Sequence, residues 1–169
     1  RRDDDVPGAT LTLLHSLPQP AFIEDAHFDI VAANAAARAL SPRLTEGGNQ
    51  LRDIFLDPEE KALHPDWEDA TECLVASLRQ AVGSALDNPR LGALVAELRD
   101  ASPRFRELWA RHDVRAPRPS ALRIDHPRPG LPTPHRERLA VSGTAGLVLV
   151  VLHAEPGSSD AERLARLTA

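Results

Sequence analysis

A polar capping residue followed at once by proline occurs at Asp57-Pro58, Asn88-Pro89 and Ser102-Pro103. Proline fits only the first turn of a helix, where its missing N–H is not needed. The Asp, Asn or Ser before it accepts hydrogen bonds that this turn leaves open. Each pair therefore starts one helix and forbids another from running through it. Behind Pro58, Glu60 adds a carboxylate at the third helical position. Behind Pro89, Leu91, Leu94, Val95 and Leu98 recur at helical spacing, as Phe105, Leu108, Trp109 and His112 do behind Pro103. Leu51, Ile54 and Phe55 make one apolar turn ahead of these pairs, and Asp66 is placed to cap a longer helix from Trp67 to about Leu86. The middle of the chain is thus a run of short helices with fixed ends.

Strands flank this run. Pro20–Asp25 and Phe28–Ala33 read as two strands joined by a hairpin turn at Asp25-Ala26-His27, with Phe28, Ile30 and Ala32 alternating against Asp29, Val31 and Ala33. Thr10–Leu17 before them reads as a short helix with Leu11 and Leu14 on one side, and Asn34 after them as the N-cap of a helix over Ala35–Leu40. Beyond the helices, Leu122 and Ile124 alternate with Arg123 and Asp125 as a strand. Arg138–Val141, the turn Ser142–Gly146 and Leu147–Leu152 read as a closing hairpin. The last of these strands is apolar on both faces, which places it centrally. Six of the 15 prolines lie between Pro117 and Pro134, where they mark edges and turns. Ser159–Glu162 reads as a capping box opening a C-terminal helix with Leu164 and Leu167 inward. Strands, helices, strands and a last helix make an α+β layout: one antiparallel sheet with a helical layer over one face.

Composition narrows the function. A length of 169 residues suits one domain, and a hydrophobic share of 42% excludes wholesale disorder. A single cysteine excludes a disulfide scaffold. The net charge of −5, with both signs interspersed, argues against this segment gripping nucleic acid. No apolar run approaches the ~20 residues of a membrane span, so a soluble, cytoplasmic domain is expected. The chain starts Arg1-Arg2-Asp3-Asp4-Asp5 and contains no Met. It is therefore expected to be a piece of a longer protein, with residues 1–9 a linker and 10–169 the domain.

Motifs of catalysis are missing: no phosphate-cradling glycine loop, no nucleophile elbow, no H-E-x-x-H and no C-x-x-C. The seven histidines show no metal-ligand spacing, so neither an enzyme nor a metal site is expected. Two polar residues stand out on apolar faces. His112 continues the Phe105–Trp109 stripe, and Arg79 borders a face of Val75, Val82 and Leu86. Each has an ordinary reading: a histidine bonded at a helix C-terminus and an arginine with its head in water. The sharper reading sets Arg79 and His112 at the mouth of an apolar pocket, where they would hold the carboxylate of a greasy ligand. Asn34, at a join of strand and helix, would add an amide donor or simply cap.

Several segments together carry a resemblance. They are Pro20-Ala-Phe-Ile, Val31-Ala-Ala-Asn34, Asn49-Gln-Leu-Arg-Asp-Ile-Phe55-Leu-Asp-Pro, His64-Pro-Asp66-Trp67 and Leu78-Arg79. Further on come Leu94-Val-Ala-Glu-Leu98, Ser102-Pro-Arg-Phe105-Arg-Glu-Leu-Trp109-Ala-Arg-His112, His126-Pro and Ala154-Glu-Pro-Gly. In this order and spacing the chain resembles the ligand-binding domain of MmyB-like transcription regulators, bacterial helix-turn-helix proteins common in actinobacteria. The resemblance implies a PAS-like fold of five antiparallel strands with helices over them. It also implies a helix-turn-helix domain before Arg1 and a fatty-acid-like ligand between sheet and helices. His64, where relatives often carry Tyr, and the proline-rich stretch after His126 depart from the pattern.

The leading expectation is a sensor module that binds a small apolar or fatty-acid-like molecule, with no other cofactor, and reaches DNA only through the missing domain. Its lining would be Phe22, Ile30, Leu78, Val82, Phe105, Leu108 and Trp109, with Arg79, His112 and Asn34 as polar anchors. The rival is a dimerisation or protein-interaction module of the same fold with a filled core, acting as a homodimer. Haem or flavin, which other PAS-type domains carry, would make the protein coloured.

Overall fold

The computed structural model describes residues 5–84, 87–111 and 134–168. In chain order these form α1 (Gly8–Ser16), β1 (Ala21–Glu24), β2 (Ile30–Ala33), α2 (Ala35–Leu40), α3 (Gln50–Leu56) and α4 (Pro58–Ala62). There follow α5 (Trp67–Ser84), α6 (Pro89–Ala101), α7 (Pro103–Ala110), β3 (His135–Ala140), β4 (Val148–His153) and α8 (Ser159–Ala165), which ends in a 3₁₀ turn over Arg166–Thr168. The fold is α+β. Each cap–proline pair starts a helix, with Asp57 accepting from the Glu59 N–H, Asn88 from Arg90 and Leu91, and Ser102 from Phe105.

Among the described residues the sheet has four antiparallel strands in the order β2-β1-β4-β3, not the five that the resemblance implied. The strand expected at Leu122 and Ile124 lies outside the described residues. β1 and β4, far apart in sequence, pair at the centre with Ala21 opposite Val151 and Glu24 opposite Val148. Val141 donates to the Leu147 carbonyl to close the last hairpin, and Gly143 and Gly146 supply positive φ values of 77° and 91° in its turn.

Helices cover both faces of the sheet, rather than the one expected. On one face Leu14 of α1 packs with Ala21, Ile23, Leu147 and Leu149. On the other, Phe22, Ile30, Ala33 and Val150 pack with Ala37 of α2, and Leu152 packs with Leu40, Leu164 and Leu167. All four residues of β1 are buried and β4 is apolar on both sides, so either face left bare would expose apolar surface.

β2 also departs from simple alternation. Glu24 pairs with Ile30 but Ile23 pairs with Ala32, so Val31 is an extra residue in the ladder. This bulge turns Val31 and Ala32 to the α1 side, while Ile30 and Ala33 face α2. Phe28 is not part of the strand. It takes a left-handed φ of 65° in the turn and buries its ring in the helical core.

Candidate functional site

The largest apolar cluster is built by α3, α5, α6 and α7, and Phe28 is the one sheet-side residue in it. Four of the chain's six aromatic residues form a row inside it. Trp67 meets Phe55 edge-on at 6.4 Å, Phe55 meets Phe105 at 5.3 Å, and Phe105 stacks on Trp109 at 5.5 Å. Cations cap both ends. The Lys61 ammonium lies 4.0 Å from the Trp67 ring centroid, and the Arg79 guanidinium 5.0 Å from that of Trp109.

Leu78, Val82, Phe105, Leu108 and Trp109 come together in this cluster. Phe22 and Ile30 do not join them: they pack with Ala33, Ala37 and Val150 against the sheet. Arg79 is half-buried and donates through Nη2 to the carbonyls of Leu108, at 2.9 Å, and Trp109, where α7 ends. A cation there satisfies terminal carbonyls and complements the helix dipole. His112 lies outside the described residues.

Asn34 is buried and fully engaged. Its Oδ1 accepts from Ala37 at 2.9 Å and from Ala21 at 3.1 Å, and its amide nitrogen faces the carbonyls of Leu14, Leu17 and Gln19. Both amide hydrogens are thereby directed to backbone. Asn34 locks the C-terminus of α1, the entry to β1 and the start of α2 into one joint.

Sequence reasoning missed the polar interior between the sheet and the helical layer. Glu24, in the middle of the sheet, is 0% exposed. Its Oε2 accepts from Gln50 of α3 at 2.6 Å, and its Oε1 pairs with Arg138 of β3. Arg136 is two residues before Arg138 on the same strand, hence on the same face. The residue keeps some exposed surface, but its Nε and Nη2 are sealed from solvent with no hydrogen-bond partner. Burial pulls this guanidinium below its ordinary range, Glu24 opposes that, and Arg138 and the Cys73 thiol act on it as well. The sequence signal was there in Glu24, a carboxylate within Ala-Phe-Ile, and in arginines alternating along β3.

The β1–β2 turn adds a polar bolt. Asp25 Oδ1 accepts from the His27 and Asp29 N–H groups, His27 Nε2 meets Asn88 at 2.9 Å, and Arg90 pairs with Asp29. Asn49 donates to the His27 carbonyl at 2.9 Å and to Asp29 at 2.8 Å. These contacts tie the first residues of α3 and α6 to the sheet. Among the described residues no group of three or more His, Cys, Asp or Glu is placed to hold a metal ion, and no helix is long and apolar enough to cross a membrane.

A sheet and a helical layer, each with its own apolar cluster, make an α+β domain. The family model of the MmyB-like transcription regulator ligand binding domain matches residues 6–167, and the chain belongs to that family. The family's description is that of a ligand-binding domain of transcription regulators. Among curated proteins, none matches the chain.

Proposed function

We propose that this domain binds a small apolar or fatty-acid-like molecule along the seam between the sheet and α5–α7. Occupancy would bias DNA binding by a helix-turn-helix domain of the same cytoplasmic regulator, acting by binding and not by catalysis. The observation that carries this reading is the set of charged side chains, Glu24 and the Arg136 head, sealed between two apolar clusters. A domain filled only by its own core gains nothing from charges buried there, whereas an amphipathic molecule has a polar end to match them. Phe22 and Ile30 offer the apolar wall on the sheet side. Leu78, Val82, Phe105, Leu108 and Trp109 offer it on the helix side. Arg79 holds the end of α7, and Asn34 fixes the joint from which the sheet wall starts.

Regulation then follows as a shift between two arrangements of the domain, one favoured by the ligand. Native mass spectrometry of the purified chain, before and after incubation with long-chain carboxylic acids, tests the reading. An added mass matching one acid per chain is expected. If no preparation carries or takes up an apolar acid and the chain runs as a stable dimer, the interaction-module reading replaces this one.

A further inference from the structure

We propose that His135 and His153 form a two-imidazole clip for a divalent transition-metal ion of the Zn²⁺, Ni²⁺ or Cu²⁺ class, the ions imidazole suits. The pair is made by the sheet, not by sequence spacing: β3 and β4 run antiparallel in a register that sets His135 directly opposite His153. Side chains opposed in this way leave the same face of the sheet. On β4, Leu149 and Val151 pack toward Leu14 of α1, and His153 is the next residue on that face. On β3 the face carries His135, Glu137 and Leu139, all exposed. Phe22 and Val150 face the other way, toward α2. The clip is therefore outside the seam of the proposed ligand and independent of that reading.

The geometry fits a chelate. The two ring centroids are 5.3 Å apart and the ring planes are inclined by 36°. A metal–nitrogen bond of about 2.1 Å sets the ion about 3.2 Å from an imidazole centroid, and a tetrahedral angle between two such ligands separates the centroids by about 5.2 Å. The backbone already holds the rings at that separation, so the strands need not move. The site is also reachable, since the His153 side chain keeps 37% of its surface exposed.

Glu137 adds direction. Its Oε1 lies 3.7 Å from His153 Nε2. A carboxylate beside one ring nitrogen favours the proton there and leaves the other, here Nδ1, to ligate. Two imidazoles are fewer than the three protein ligands of a catalytic zinc site or the four of a structural one. Water then completes the shell and the ion exchanges. An ion held here ties β3, at the edge of the described sheet, to the central strand β4.

The test titrates ZnCl₂ calorimetrically into the 169-residue chain and into its His135→Asn and His153→Asn variants, with MgCl₂ as the hard-ion control. Thermal midpoints are read for each protein with and without Zn²⁺, so that any change in basal stability cancels. The wild-type chain is expected to take up one Zn²⁺, to ignore Mg²⁺ and to rise in midpoint with Zn²⁺. Each variant is expected to lose at least about tenfold in Zn²⁺ affinity, together with the midpoint rise. Wild-type affinity in either variant overturns the clip and assigns the ion to other side chains. No uptake by the wild-type chain overturns it too and leaves the pair as a cross-strand contact. An equal response to Mg²⁺ makes carboxylates the ligands and likewise overturns it.

Discussion

Asp53 sits on α3 where Glu60 and Asp57 approach it, and its carboxyl is pushed up to about 6, first by burial and then by Glu60, with Arg43 pulling the other way. A carboxyl whose pKa rises on folding favours the folded state at low pH. It loses that advantage as pH climbs from its unfolded value of 3.8 through about 6. At neutral pH the ionised Asp53 is therefore a cost, of about 1 kcal/mol once solvent screening is discounted. Asp53→Asn should stabilise the protein at pH 7.5 by that amount, with the gain vanishing near pH 4. Urea unfolding of both proteins across this range checks it, and a gain that persists at pH 4 would exclude the charge as its cause. Asn34 shows the other side of single residues. Its capping role was legible because Asn before a run of alanines has few alternatives. Its ties to Leu14, Leu17 and Gln19 were not, because they depend on where α1 and the entry to β1 meet in space.

Helix starts were the most legible features, since a cap and a proline act within four residues and need no tertiary partner. The C-terminal helix is the exception by one position: Ser158, not Ser159, is its cap, accepting from Ala161. Two adjacent serines offer the same chemistry, and only the path of the incoming chain chooses between them. The β2 bulge was hidden for a similar reason, because alternation in one strand says nothing about a residue its partner skips. Arg79 was singled out for bordering an apolar face, and that face leads it to the end of α7. Replacing it by Met keeps the stem and removes the donors. Arg79→Met should cost about 1–2 kcal/mol and speed hydrogen exchange at the Trp109 and Ala110 amides, leaving β4 amides protected. Uniform acceleration throughout the domain would instead mean a general loss of packing.

Glu24 is where the parts of the molecule meet, joining β1 to α3 through Gln50 and to the edge strand β3 through Arg138. Removing its charge leaves Arg138 and Arg136 facing one another without compensation. Glu24→Gln should lower stability by about 3 kcal/mol, the low end for a broken buried pair because Arg138 reaches solvent. Adding Arg136→Met should recover part of that loss. Thermal unfolding of the two single variants and the double variant measures the coupling, and strictly additive losses would show that Arg136 does not feel Glu24. The apolar residues of β1 and β4, the caps and the helical stripes were enough to specify an α+β domain with helices in the middle, because each acts over a few neighbouring residues. The pairing of the first strand with the last could not be read locally. Nor could the second covered face or the division of the expected lining into two clusters. The charges sealed between those clusters were hidden in the same way. They arise where segments more than a hundred residues apart come into contact, and the cost of burying a charge exists only once that contact has formed.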